Sequence, residues 1–160
     1  MSTVHSGGIL LFRRRGGGLE VLLAHPGGPY FAKRDAGSWT IPKGQADGED
    51  DLLLVAGREF GEETGNAIEA VRREGVLPLE LGSVTLRSGK IVHGWAVEGD
   101  LDASTVSSNE FEIEWPPRSG RRARFPEIDR VAWCAADEAR RLIHPVQAAF
   151  IDRLEAALGS

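Results

Sequence analysis

Gly44–Gly65, GQADGEDDLLLVAGREFGEETG, carries the pattern from which the rest of the chain is read. Arg58, Glu59, Glu62 and Glu63 fall within six consecutive positions of a segment patterned as one helix. At about 100° per residue, the three glutamates share an arc of roughly 100°. One to two turns earlier the same arc carries Leu52, Val55 and Ala56, so it faces the core. Carboxylates turned inward without a partner are costly to desolvate and repel one another. A divalent cation is the simplest compensation, and the segment is read as a metal site. The spacing predicts a helix from about Asp50 to Thr64, with Asp47, Glu49, Asp50 or Asp51 as acidic N-terminal residues and Gly65 as the stop. Gly57 and Gly61 each cost this helix about 1 kcal/mol relative to Ala. Both lie opposite the glutamates, where they suit close packing of another element on the outer face.

Gly44, then Asp50, then Arg58-Glu59-Phe60-Gly61-Glu62-Glu63-Thr64-Gly65 resembles the signature of the Nudix hydrolases. Two positions depart from it. Asp50 stands where the family has Glu, with Glu49 beside it, and Asn66 stands where the family has an apolar residue. The resemblance implies a structural pairing of that first acidic residue with the arginine. Trp39-Thr40-Ile41-Pro42-Lys43-Gly44 is similar to the usual lead-in, and Ser6–Leu10 followed by Arg13-Arg14 to the family's first strand. Segments 25–33, 111–120 and 125–133 are similar to a bacterial branch described as predicted NTP pyrophosphohydrolases. The likeness thus spans nearly the whole chain and is specific for family rather than substrate.

Composition sets the outer bounds. The 160 residues are expected to form one domain, 1–160, large enough to bury a core without staples. Hydrophobic content of 41% and charged content of 27% are ordinary for a globular protein. The single cysteine, Cys134, leaves no internal disulfide and reads as a buried structural thiol in a reducing cytoplasm. No stretch reaches the roughly 20 apolar residues of a membrane span, and no signal peptide is visible in MSTVHSGG. A net charge of −5 argues against a nucleic-acid coat protein. It permits a phosphate substrate, because acidic sites hold polyphosphates through divalent metals.

Along the chain, Val4–Phe12 and Leu19–Ala24 are expected to form a hairpin about Gly16-Gly17-Gly18. A loop spans 25–38 and a short strand 39–41. A second hairpin joins 77–87 to 90–97 about Ser88-Gly89, followed by a polar loop over 99–108. A strand over 110–115, a Pro- and Arg-rich loop over 116–124 and a last strand over 128–134 come next. Helices over 137–143 and 146–158 are separated at His144-Pro145. Strands and helices mix without the regular alternation of a doubly wound sheet. The fold class is α/β in the sense of an α+β mixed sheet, and the resemblance implies the Nudix α/β/α sandwich.

The resemblance also implies cleavage of a nucleoside diphosphate linked to a further group, with Mg2+ or Mn2+ as cofactor. Glu62 and Glu63 are the expected principal ligands, with the Gly44 carbonyl as a third. Glu59 is either a further ligand or the group that orients or deprotonates water. Arg58 is expected to orient the loop and the glutamates through a salt bridge, with direct phosphate contact as the other reading. Lys43 is placed for a phosphate oxygen. Strand alternation puts Glu110, Glu112 and Glu114 on one face, and Glu112 is the expected carboxylate from outside the signature. Arg121 and Arg122, within the run Arg118–Arg124, are candidate polyphosphate contacts. Tyr30, Phe31 and Trp39 are candidate base-stacking groups.

The leading reading is a metal-dependent pyrophosphohydrolase acting on a nucleoside triphosphate or a dinucleoside polyphosphate, with a nucleotide sugar such as ADP-ribose next. Its partner is a nucleotide-type small molecule. No membrane partner is expected and nucleic acid is disfavoured, while the resemblance leaves a homodimer open. The alternative is a Nudix module that senses nucleotides or associates with RNA without turnover.

Overall fold

A computed structural model describes residues 3–48 and 51–159. In chain order it consists of β1 (His5–Arg15), β2 (Gly18–Pro26), β3 (Lys43–Gln45), α1 (Leu52–Thr64), α2 (Ile68–Val71), β4 (Leu79–Thr85) and β5 (Ile91–Glu98). After a 3-10 turn at Ala103–Thr105 come β6 (Glu110–Glu114), β7 (Arg122–Pro126), β8 (Ile128–Ala135) and α3 (Ala136–Leu142). A second 3-10 turn, Pro145–Gln147, leads into α4 (Ala148–Leu158).

The β1–β2 hairpin closes on Gly16 and Gly17, whose φ values of 59° and 80° are those a two-residue primed turn requires. The main sheet runs β4-β5-β1-β2-β8. It is mixed, because β1 and β5 are parallel whereas β1–β2, β2–β8 and β4–β5 are antiparallel. One edge of β1 is divided between two partners. Its last residues, Phe12–Arg15, pair with β2, and its first, Ser6–Gly8, pair with β3 in the register Gly7↔Gly44.

Side chains alternate across β1 with period two. Ile9 and Leu11 pack with Leu22, Ala56, Phe60 and Val97 under α1. Leu10 and Phe12 pack with Val21, Leu142, Phe150 and Leu154 under α3 and α4. Both faces of the sheet are covered, so GILLF and VLLA read as unbroken apolar runs. This is the expected three-layer sandwich. No helix among the described residues is long and apolar enough to cross a membrane. Cys134 is buried in the second cluster, and burial pushes its thiol up to about 11.

Helix α1 begins where the Asp51 carboxylate accepts from the backbone N–H groups of Leu53 (2.9 Å) and Leu54 (3.3 Å). It ends at Gly65, in the left-handed region with φ 73°. Asp51→Ala removes that cap and is expected to cost about 1 kcal/mol. A melting temperature lower by about 2–4 °C in a thermal scan would show it.

Local patterns misplaced several elements. Trp39–Ile41 forms isolated bridges to Ala24 and Ile143 rather than a strand, and the strand comes at Lys43–Gln45. The Pro- and Arg-rich segment is not all loop, since β7 starts at Arg122 and pairs with β6 in a separate two-stranded ribbon. The short helix α2 carried no periodic signal in its four residues. Glu49 and Asp50 lie outside the described residues.

Candidate active site

Two close approaches bring α1 against the split edge of β1. A Cβ added at Gly7 would overlap the Leu52 carbonyl oxygen and lie 3.2 Å from the Ala56 nitrogen. A Cβ at Gly44 would overlap the Glu59 carboxylate. The helix thus lies on bare backbone at Gly7, and Glu59 lies on bare backbone at Gly44. The far end of α1 is sewn down by the polar loop: Ser107 donates from its backbone N–H to the Thr64 carbonyl, and Asn109 donates to that of Glu62, both at 2.9 Å.

These contacts shape a cavity of about 420 Å3 lined by Lys43, Gly44, Gln45, Glu59, Glu62, Glu63, Asn109, Glu110 and Glu127. The three signature glutamates, Lys43 and Gly44 are therefore brought together. Burial raises Glu63 to about 8, with the charges of Glu59 and Glu127 pushing the same way. The positive charge of Lys43 and its backbone N–H oppose that rise. Burial also raises Glu59, helped by Glu62, and burial lowers Lys43 despite the neighbouring Glu63. One half-buried lysine does not neutralise five carboxylates. Arg58 is half exposed at the edge, its Nη2 3.7 Å from Glu59 Oε1.

The outside carboxylates are Glu110 and Glu127, not Glu112. Alternation does place Glu110, Glu112 and Glu114 on one face of β6, but the strand runs away from the cavity and only its first residue reaches the wall. Glu112 is exposed, with Arg122 3.8 Å away. Sequence reasoning missed Glu127 and Asn109. Glu127 occupies the single residue between β7 and β8, and its N–H is bound by the Asn109 carbonyl at 2.7 Å. No periodicity marks such a position, although it lies in the segment FPEIDRVAW that carried part of the resemblance.

Trp39 is a core residue, 4% exposed, not a surface plate. Its indole N–H donates to Asp35 at 2.8 Å and its ring meets His25 edge-on. Phe31 is half buried under the Arg34 guanidinium, and Tyr30 is exposed against Trp115; neither lines the cavity. Arg121 and Arg122 stand on the ribbon, also off the cavity wall. The loop bearing Tyr30 and Phe31 is held by buried His25, whose ring nitrogens meet Asp129 (2.9 Å) and the Arg34 carbonyl (2.7 Å). A second cavity, about 450 Å3, lies across α1 among Leu53, Leu54, Gly57, Gly61 and Ile68. There a Cβ at Gly57 would sit 3.3 Å from Ile68, so α2 is the element packed on the outer face.

The family model for the NUDIX domain matches residues 3–154. The chain belongs to the Nudix hydrolase family. An RNA pyrophosphohydrolase of Caulobacter vibrioides is 28% identical over 145 residues, which is 86% of this chain and 81% of that protein. A binary complex of the C. elegans Ap4A hydrolase superposes with a TM-score of 0.68 at 20% identity, covering 96% of this chain and 98% of that one. The NUDIX domain of Shewanella oneidensis NrtR, complexed with ADP ribose, does so at 0.64 and 15%, covering 99% and 90%. These structural likenesses concern the Nudix fold.

Nudix enzymes generally use divalent cations, and the cavity suits one. Its donors are carboxylates and backbone carbonyls, hard oxygens of the kind magnesium and manganese prefer. The upward pull on Glu59 and Glu63 is what an added positive charge relieves. Among the described residues no group of three or more His, Cys, Asp or Glu side chains is disposed to hold a metal ion by itself. Magnesium does not need one, since it usually binds through one or two carboxylates and keeps several waters.

Proposed function

We propose that this Nudix protein is a metal-dependent pyrophosphohydrolase of the cytoplasm that cleaves a nucleoside diphosphate linked to a further group. The observation that carries the proposal is the convergence of Glu59, Glu62, Glu63 and Glu127 with Lys43 on one cavity. Glu62, Glu63 and the Gly44 carbonyl would hold Mg2+ or Mn2+. When bound, the cation neutralises phosphate charge and lowers the pKa of a coordinated water.

The chain's own residues do the rest. Lys43 offers an ammonium to a phosphate oxygen from the wall opposite α1. Glu59, raised above the usual carboxylate range by burial and Glu62, stands beside Gly44 as the group to orient a water or accept its proton. Arg58, beside Glu59, restrains that carboxylate from the rim. Nucleoside triphosphates and dinucleoside polyphosphates are the first substrates in this reading and nucleotide sugars the second. The 28% identical relative named RNA pyrophosphohydrolase supports phosphoanhydride cleavage.

The test is release of phosphate or nucleotide from a panel of all three classes, with Mg2+ and after chelation. Metal-dependent release is expected. Tight nucleotide binding without turnover at high protein concentration would instead favour the sensing module, and release indifferent to chelation would refute the proposal.

A further inference from the structure

The cavity on the outer side of α1, away from the glutamates, has about 450 Å3 and is as large as the acidic one. Its lining is mostly apolar, with Ile9 of β1, Val97 of β5, Leu53 and Ile68 among its walls. Gly57 and Gly61 line it without side chains, and a Cβ at Gly61 would meet no neighbour closer than 4.0 Å. Space that a closed core would fill is therefore left open. Leu54, another wall residue, is 73% exposed, and Leu77, beside the wall residue Pro78, is 77% exposed.

Arg58, Glu69 and Arg72 complete the wall. Two guanidiniums against one carboxylate leave the cavity positive, in a chain of net charge −5. Arg72 is held in place, its Nη2 donating to the Val76 carbonyl at 3.1 Å. Among the described residues Arg72 pairs with no carboxylate, and Arg58 finds only that of Glu59, at 3.7 Å. A charge-assisted bond is about 2.7–2.9 Å long, so neither arginine has a close anion.

We infer that this cavity binds an amphiphilic oxyanion, a small molecule with an apolar body and one carboxylate or phosphate head. Sites that bury small ligands are clefts of about 300–1,000 Å3, mostly apolar with a few placed polar groups. The apolar body displaces water from Ile9, Leu53, Ile68 and Val97, while the guanidinium forks take oxygens of the head. A neutral amphiphile leaves both arginines without an anion, and a cation is repelled. Arg58 also joins the two cavities, since it lines this one and stands beside Glu59 of the other. A head bound there draws Arg58 from Glu59. In the hydrolase reading, on which this second half of the inference rests, Arg58 restrains Glu59, so the bound anion lowers kcat.

The experiment titrates decanoate, decyl phosphate and decanol into wild type, Gly61→Leu and Arg72→Gln by calorimetry, below micelle-forming concentrations, with melting scans to confirm folding. Wild type is expected to bind at least one anion about tenfold or more tighter than decanol, and the preferred anion identifies the head group. Gly61→Leu, which fills the cavity, is expected to lose all three ligands. Arg72→Gln is expected to keep decanol and to bind the preferred anion about fivefold or more weakly. If Gly61→Leu does not fold, Arg72→Gln decides alone. No anion preference in wild type, or affinities that ignore the substitutions, would overturn the site. Turnover with Mg2+ is then read at saturating anion, and a fall in the wild-type kcat is expected that Gly61→Leu does not show. An unchanged kcat overturns the coupling through Arg58, as does a wild type that hydrolyses nothing, and either result leaves the binding site to the calorimetry.

Discussion

Replacing Glu63 by Gln is expected to lower metal-dependent turnover by about 10²- to 10³-fold, because a cation's stabilisation of transition-state charge is worth several kcal/mol and each 1.36 kcal/mol is tenfold. The same substitution has an opposite effect on stability. In metal-free protein Glu63 titrates near 8 rather than its ordinary 4.5. Between those values the folded chain keeps a proton that the unfolded chain has lost. Stability therefore falls as pH rises from about 4.5 to about 8, and levels off above. A glutamine side chain cannot ionise, so the Glu63→Gln variant escapes that fall. It is expected to melt higher than wild type at pH 8.5 in chelator and about equally at pH 4. Glu59, raised in the same direction, leaves a residual slope in the variant. Added Mg2+ should stabilise wild type more at pH 8.5 than at pH 5.5, and the variant much less. Thermal scans at these pH values decide it. A wild-type melting temperature that ignores pH and metal would contradict the half-buried position of this carboxylate.

Gly7→Ala is expected to damage both stability and activity. The added carbon meets backbone atoms of α1, the Leu52 carbonyl and the Ala56 nitrogen, which cannot rotate aside as a side chain would. Overpacking typically costs 1–3 kcal/mol, and a backbone clash belongs at the upper end, about 3 kcal/mol. A fall in melting temperature of roughly 6–12 °C follows for a chain of this size. Activity should fall as well, in the protein that remains folded. Any lift of α1 carries Glu59 away from Gly44, and a misplacement of about 1 Å can cost on the order of 10²-fold. An alanine variant with unchanged melting and turnover would show that the helix does not rest on Gly7.

Much of the scaffold was readable from local pattern. The hairpin of β1 and β2 announced itself by apolar runs about a glycine triplet, and α1 by the arc of Leu52, Val55 and Ala56 beneath the glutamates. Helix breaks at Gly65 and Pro145 follow from backbone chemistry alone. Failures came where a residue's role depends on a remote partner. Trp39 was a candidate base-stacking group, yet its indole is claimed by Asp35 and its backbone by Leu142 and Ile143. Arg122 and Arg124 looked like free charges until β7 paired with β6 and set them against glutamates. Glu112 was chosen over Glu110 for its mid-strand position. The direction in which the strand leaves the cavity reverses that choice.

The chain's own order of residues determined that three carboxylates must share the inward arc of one helix, since 3.6 residues per turn allows no other placement of positions 59, 62 and 63. It also determined the covered sheet, through runs apolar on both alternating faces. Only the tertiary structure decided what stands opposite those carboxylates. Lys43 and Gly44 arrive because β3 takes the part of the β1 edge that β2 leaves free. Glu110 and Glu127 arrive because the ribbon's base is bonded to the end of α1. Helical periodicity is a property of neighbours in the chain, whereas the far wall of a cavity is assembled from segments that only packing brings together.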